Sequence, residues 1–246
     1  MRKKKLTSYI VTTITALALA ACGQIAEFDF SIPENIDTNI LNTNTNKDTS
    51  VNTATALQNI DYLFVNDNPN PKKIPYKRED QFGTAWTDNN DTSLGRNGCD
   101  TRNDILNRDL VDKTYGDAKN CVVTTGILEN DPYTGRTIKF RRGKTTSSLV
   151  QIEHVVALKN AWESGAYNWT QQERINFAND PEVLIAVDGP ENQAKGDKSA
   201  DKWLVPNNPA YRCTYAAKQV NIKTTYGLSV TSAEKSALKS TLQACQ

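Results

Sequence analysis

One histidine occurs in the whole chain, and a carboxylate stands directly before it: Glu153-His154. A neutral imidazole can take a proton from water, and a carboxylate can hold a cation beside it. Further along lies Asn192-Gln193-Ala194-Lys195-Gly196-Asp197-Lys198, a turn entering a helix, where polar side chains meet free N–H groups. Imidazole, carboxylate, amide oxygen and nearby cations are the parts needed for metal-assisted phosphodiester hydrolysis. A lone histidine is also a common structural residue, so residue types alone leave that chemistry open.

The elements around these residues set what they can share. Residues 150–156 form a short β-prone run that carries Glu153-His154. Neighbours on a strand point to opposite faces, so a joint site requires the strand to end or bend there. Residues 170–178 have helical character, 183–187 read as a strand, Asp188-Gly189-Pro190 as a turn, and 193–203 as a helix. Upstream, Ile105, Leu106 and Leu110 give 101–111 helical spacing, and 121–128 reads as a strand. Asp131-Pro132-Tyr133-Thr134-Gly135 signals a turn before strand-like alternation over 137–141. Asn208-Pro209 places a cap residue before a proline at the first helical position, and Thr231-Ser232-Ala233-Glu234 fits a capping box. The expected fold class is α+β with short strands: a strand bearing Glu-His, a helix, a strand, a turn and a helix, then two C-terminal helices. Trp162, Trp169 and Trp203 are assigned to the core, with base stacking as the alternative if they are exposed. Arg174 is expected to pack or cap locally.

The start of the chain reads as an export signal. Met1-Arg2-Lys3-Lys4-Lys5 is basic, and the following apolar run is too short for a membrane span. The run ends in Leu19-Ala20-Ala21-Cys22, which resembles a bacterial lipobox. The organisation expected is a signal peptide over 1–21, then a lipidated Cys22 and an Asn/Thr-rich tether over 22–59, then a globular domain over 60–246. A flexible tether of about 30 residues reaches on the order of 30 Å. No later segment is apolar enough to span a bilayer, so the protein is expected to be anchored to the cell envelope, and to the outer membrane if the cell is Gram-negative. It would face the periplasm or the exterior as a monomer.

Lipid on Cys22 leaves Cys99, Cys121, Cys213 and Cys245, an even set that reads as two disulfides in an oxidising compartment. Of three connectivities, Cys99–Cys121 and Cys213–Cys245 are favoured because each brackets one local unit. A zinc site is the competing reading, weakened by the absence of a C-x-x-C and by the single histidine. The chain carries a net charge of +1, and loss of Arg2, Lys3, Lys4 and Lys5 takes it to about −3, so bulk charge does not argue for nucleic acid. Between Asp131 and Glu153, however, no carboxylate interrupts Arg136, Lys139, Arg141, Arg142 and Lys144. That strip could hold a phosphate backbone, with Arg141 and Arg142 as candidate substrate contacts, or be a solvated hairpin face.

Three blocks carry a family resemblance: Gln151-Ile152-Glu153-His154-Val155-Val156-Ala157-Leu158, Phe177-Ala178-Asn179-Asp180-Pro181, and the stretch from Ala186 through Asn192 to Lys198. In this order they resemble HNH endonucleases, and most closely the secreted branch related to the C-terminal domain of the GmrSD restriction enzymes. Gly98-Cys99-Asp100-Thr101-Arg102-Asn103-Asp104-Ile105-Leu106 and Ala210-Tyr211-Arg212-Cys213 fit the same branch. The resemblance implies a ββα-metal (His-Me finger) core with additional helices, and an endonuclease acting on DNA with little sequence preference, with RNA left open as a further substrate. By position, His154 would be the general base, Glu153 and Asn192 the ligands of one divalent ion, and Lys195 a phosphate contact. An oxygen-rich ligand pair favours Mg or Mn. One departure stands out: Val183 takes the place where relatives usually carry an Asn that braces the metal loop. Asp100, Arg102 and Asp104 could line the site or form an ion-paired helix start beside a disulfide. The rival classes are a non-catalytic surface lipoprotein on an HNH-derived fold, and a phosphatase or phosphodiesterase for small substrates.

Overall fold

The structure, a computed structural model, describes residues 52–69 and 73–246, so the leader, Cys22 and most of the expected tether lie outside the described residues. At its centre, Leu184–Asp188 is buried at every position, as expected of a strand covered on both faces and written as one apolar run. This strand, β5, pairs antiparallel with β4, Val150–His154, in the register Val150↔Asp188, Ile152↔Ala186 and His154↔Leu184. Between them the chain makes α4 (Leu158–Glu163) and α5 (Gln171–Asn179), and after β5 it enters α6 (Gly189–Lys195) directly.

A second sheet precedes this hairpin. The strands β1 (Val111–Tyr115), β2 (Val123–Leu128) and β3 (Ile138–Arg141) run antiparallel in that order. The helix α3 (Thr101–Asp109) bridges the two sheets, with Ile105, Leu106 and Leu110 packing against Val123, Phe140, Val150, Ile152 and Leu184. Asp100 opens α3 by accepting from the Asn103 N–H at 2.9 Å, so it is a helix cap and not a site residue. Asp104 accepts from the Asn97 side chain at 3.0 Å, in keeping with the structural alternative.

The C-terminal helices α7 (Pro209–Thr225) and α8 (Ser232–Gln243) form with α1 (Thr53–Asn59) a separate apolar cluster, joining Ala56 and Ile60 to Ala216, Ala217, Val220, Leu238 and Leu242. Part of the segment expected to be tether is therefore helical among the described residues: the Asn52 side chain caps α1 at 3.1 Å, and Ala56 is fully buried. A short helix, α2 (Arg78–Phe82), lies against α5.

Mixed helices and short sheets bear out the α+β expectation, and the two favoured cysteine pairs are joined, Cys99–Cys121 and Cys213–Cys245. All four thiols are thereby used, which removes the zinc alternative for them. Several local expectations need correction. Asp188-Gly189-Pro190 is not a turn before a helix at 193–203 but the start of α6. Asp188 accepts from the Glu191 N–H at 3.0 Å, Pro190 sits in the first turn, and the helix stops at Gly196 with φ +55°. The strand β1 went unread because Val-Asp-Lys-Thr-Tyr shows little apolar alternation and is mostly exposed. Asn208 leaves α7 uncapped and donates instead to the Pro132 carbonyl at 3.1 Å. At α8 only half of the capping box forms. Thr231 accepts from the Glu234 N–H at 3.1 Å, but the Glu234 carboxylate turns inward to the buried ammonium of Lys223 at 3.0 Å. Trp162 and Trp203 are buried in the main core, and Trp169 packs against it. Arg174 does pack locally, donating to the Gln81 carbonyl at 2.8 Å and lying over Trp162.

Candidate active site

The strand β4 ends at His154, and that ending brings the Glu-His pair to one place. The two side chains diverge as alternation requires. Glu153 turns to α6, where its carboxylate meets the Lys195 ammonium, and His154 turns toward the end of α5. Because the strand stops there, both border a single cleft of about 470 Å3, together with Asn192 of α6. Ionic, amide and imidazole groups are thus gathered from β4 and α6.

His154 is buried, with Nε2 2.9 Å from the carbonyl oxygen of Ala178. A carbonyl only accepts, so Nε2 carries the proton and Nδ1 holds the free lone pair. Burial is the main reason its pKa falls, to about 3. The Ala178 carbonyl opposes that fall, and the charges of Arg78 and Lys195 add to it. The ring is therefore neutral at physiological pH, the form a general base requires. Burial pushes the Glu153 carboxyl up, against the pull of Lys195 and of the Tyr133 hydroxyl.

Asn192 donates through Nδ2 to the Gln151 side-chain oxygen at 2.9 Å. That contact leaves its amide oxygen without a protein donor among the described residues. One carboxylate and one amide oxygen suit a hard divalent ion that keeps most of its waters. Among the described residues no group of three His, Cys, Asp and Glu side chains forms a closed metal cage.

The other expected site residues fare differently. Lys195 is fully buried, donating to the His154 carbonyl at 3.2 Å as well as pairing with Glu153. In this position it holds the end of β4. Arg142 is tied to the Val123 carbonyl at 2.8 Å and the Asn103 side chain at 2.5 Å, locking the sheet to α3. Arg141 is exposed on β3, and neither arginine borders the cleft. Arg102 does border it, while also donating to the carbonyls of Ser147 and Val150 at 3.3 Å each.

Two residues that no sequence pattern singled out lie beside the histidine. Trp86 stacks on the imidazole with ring centroids 5.6 Å apart and planes 15° from parallel, and Arg78 lies over Trp86. Residues 83–98 have neither helical nor strand periodicity, so nothing local could have marked Trp86, and Arg78 opens the five-residue helix α2, which has no side-chain cap. Val183 is fully buried in the main core, and its backbone carries the hydrogen bonds there, from Val155 N–H at 2.9 Å and to the Asp180 carbonyl at 3.0 Å.

Residues 100–240 match the family described as GmrSD restriction endonucleases, C-terminal domain. A protein of Arthroderma benhamiae, named as an uncharacterized secreted protein, is 45% identical over 150 residues, covering 60% of this chain and 68% of its own length. No solved structure matches this chain.

Proposed function

Because this chain belongs to the family of GmrSD restriction endonuclease C-terminal domains, which points to a nuclease-related function, we propose that it is a metal-dependent endonuclease of the HNH type acting on DNA and RNA. One observation carries the proposal: a buried neutral imidazole with a free Nδ1 shares a cleft with a carboxylate and an uncommitted amide oxygen. The pairing of β4 with β5, followed by α6, supports a ββα-metal core.

In this mechanism His154 Nδ1 takes a proton from water as the water oxygen bonds to phosphorus. The bond from phosphorus to O3′ breaks, leaving a 5′-phosphate and a 3′-alkoxide that takes a proton from solvent. Glu153 and Asn192 would hold the divalent ion, whose charge stabilises the crowded phosphate and the departing oxygen. Lys195 holds Glu153 in place, and Trp86 and Ala178 fix the imidazole plane.

The purified, oxidised protein is expected to cut plasmid DNA and RNA with Mg or Mn and to cut neither in EDTA. Inertness of correctly folded protein on both polymers with either ion would remove the catalytic proposal in favour of a binding lipoprotein. Val183→Asn is expected to change metal-dependent cleavage less than tenfold while costing about 1–3 kcal/mol of stability, because the amide enters an apolar site without partners. A gain above tenfold, read in the same assay, would show that the missing Asn limits the enzyme.

Two disulfides and a secreted relative support export. Among the described residues no helix is long and apolar enough to cross a membrane. We propose that Cys22 carries a lipid and that a tether follows it; mass spectrometry of the N-terminal peptide tests this.

A further inference from the structure

Three of the four cations at or beneath the cleft are already engaged. Lys195 holds Glu153, Lys159 pairs with Asp197 at 2.5 Å, and Arg102 donates to two backbone carbonyls. Arg78 differs. It is exposed, it borders the cleft, and among the described residues no carboxylate forms an ion pair with it. Its guanidinium carbon lies 5.8 Å from the centroid of the Trp86 ring, the same ring that stacks on His154.

Trp86 is held there at a backbone cost. Its φ is +61°, a left-handed conformation unfavourable for a bulky side chain and one that persists only where the surroundings hold it. The Trp86 carbonyl accepts from the Thr101 N–H at 3.2 Å, and the indole packs against the cluster formed by α3 and the two sheets. Arg78 and Trp86 both precede residue 100, where the family match begins.

We propose that Arg78 is the phosphate anchor of this cleft: its guanidinium binds a backbone phosphate of a polynucleotide, and Trp86 is the positioning residue that sets Arg78 beside His154. A planar guanidinium offers paired N–H donors to two phosphate oxygens, which an ammonium cannot match. The assignment depends on the nuclease proposal only for the reaction it serves, since anion binding is measurable without cleavage.

The test uses the oxidised protein in EDTA with a labelled single-stranded DNA of about twelve nucleotides, titrated across a range of salt concentrations. Arg78→Gln is expected to weaken binding about tenfold at low salt and to flatten the slope of log K against log salt by about 0.7, one phosphate contact on a single strand. Arg78→Lys keeps the slope but loses part of the affinity. Trp86→Phe, which keeps a ring under Arg78, binds close to wild type, whereas Trp86→Leu follows Arg78→Gln. Wild-type affinity and slope in Arg78→Gln, or no binding by the wild type, overturns the anchor. Wild-type binding by Trp86→Leu overturns the role of the indole. A wild type that binds through Arg78 yet cuts nothing with Mg or Mn sinks the nuclease proposal and leaves the anchor standing. Cleavage and binding by Arg78→Gln indistinguishable from wild type does the reverse.

Discussion

Alanine in place of His154 is expected to lower metal-dependent cleavage about a thousandfold, roughly 4 kcal/mol of transition-state stabilisation, while a single-stranded oligonucleotide still binds in EDTA. The size follows from the geometry. The Ala178 carbonyl takes the Nε2 proton, burial keeps the ring neutral, and Nδ1 is then the nitrogen free to accept a proton from water. Removing the ring takes away the base but leaves Arg78 and the cleft walls. The comparison is made on initial rates of plasmid cleavage, with circular dichroism to establish that the variant is folded. A loss smaller than tenfold in a folded variant would show that another group activates the water, and Glu153 would be the first to examine.

Lys195→Met is expected to destabilise the protein by about 3–5 kcal/mol in metal-free buffer, measured by urea unfolding, because it strands a buried carboxylate. Lys195 is fully buried, and Glu153 is nearly so. The double variant Lys195→Met, Glu153→Gln should recover much of that stability, since the uncompensated charge is gone. This outcome separates the two duties considered for the lysine. A phosphate contact would leave stability near wild type and raise KM, whereas a lysine that holds the carboxylate moves the unfolding midpoint without any substrate present. A shift below about 1 kcal/mol would mean that Glu153 simply takes up a proton when its partner is lost.

Much of the candidate site was legible because it is built from short contiguous blocks. Glu153 and His154 are neighbours in sequence, and Asn192 lies in one contiguous polar block with Lys195, although the Asp188-Gly189-Pro190 read there as a turn is the cap and first turn of α6. The strand β5 is legible as an apolar run, as expected of a strand buried on both faces, and β4 as an alternation of Val150 and Ile152 with Gln151 and Glu153. Where a local signal competed with tertiary demand, the sequence misled. Glu234 belongs by pattern to a capping box, but a buried Lys223 draws its carboxylate away. Arg142 belongs by pattern to a basic strip, but the Val123 carbonyl and Asn103 draw it inward.

The sequence by itself determined the chemical inventory: one histidine with a carboxylate beside it, an amide on a following helix, four cysteines in two local brackets, and an α+β order of elements. These are properties of residues close together along the chain, where periodicity, capping and spacing act. Only the tertiary structure decided which nitrogen of His154 is free, that Lys195 secures the carboxylate beneath the cleft, and that Trp86 and Arg78 stand at its rim. Each of those depends on groups far apart in sequence being brought within a few ångströms of one another. Burial then changes what the same side chains can do, turning an exposed cation into a buried strut and an ordinary imidazole into one that stays neutral.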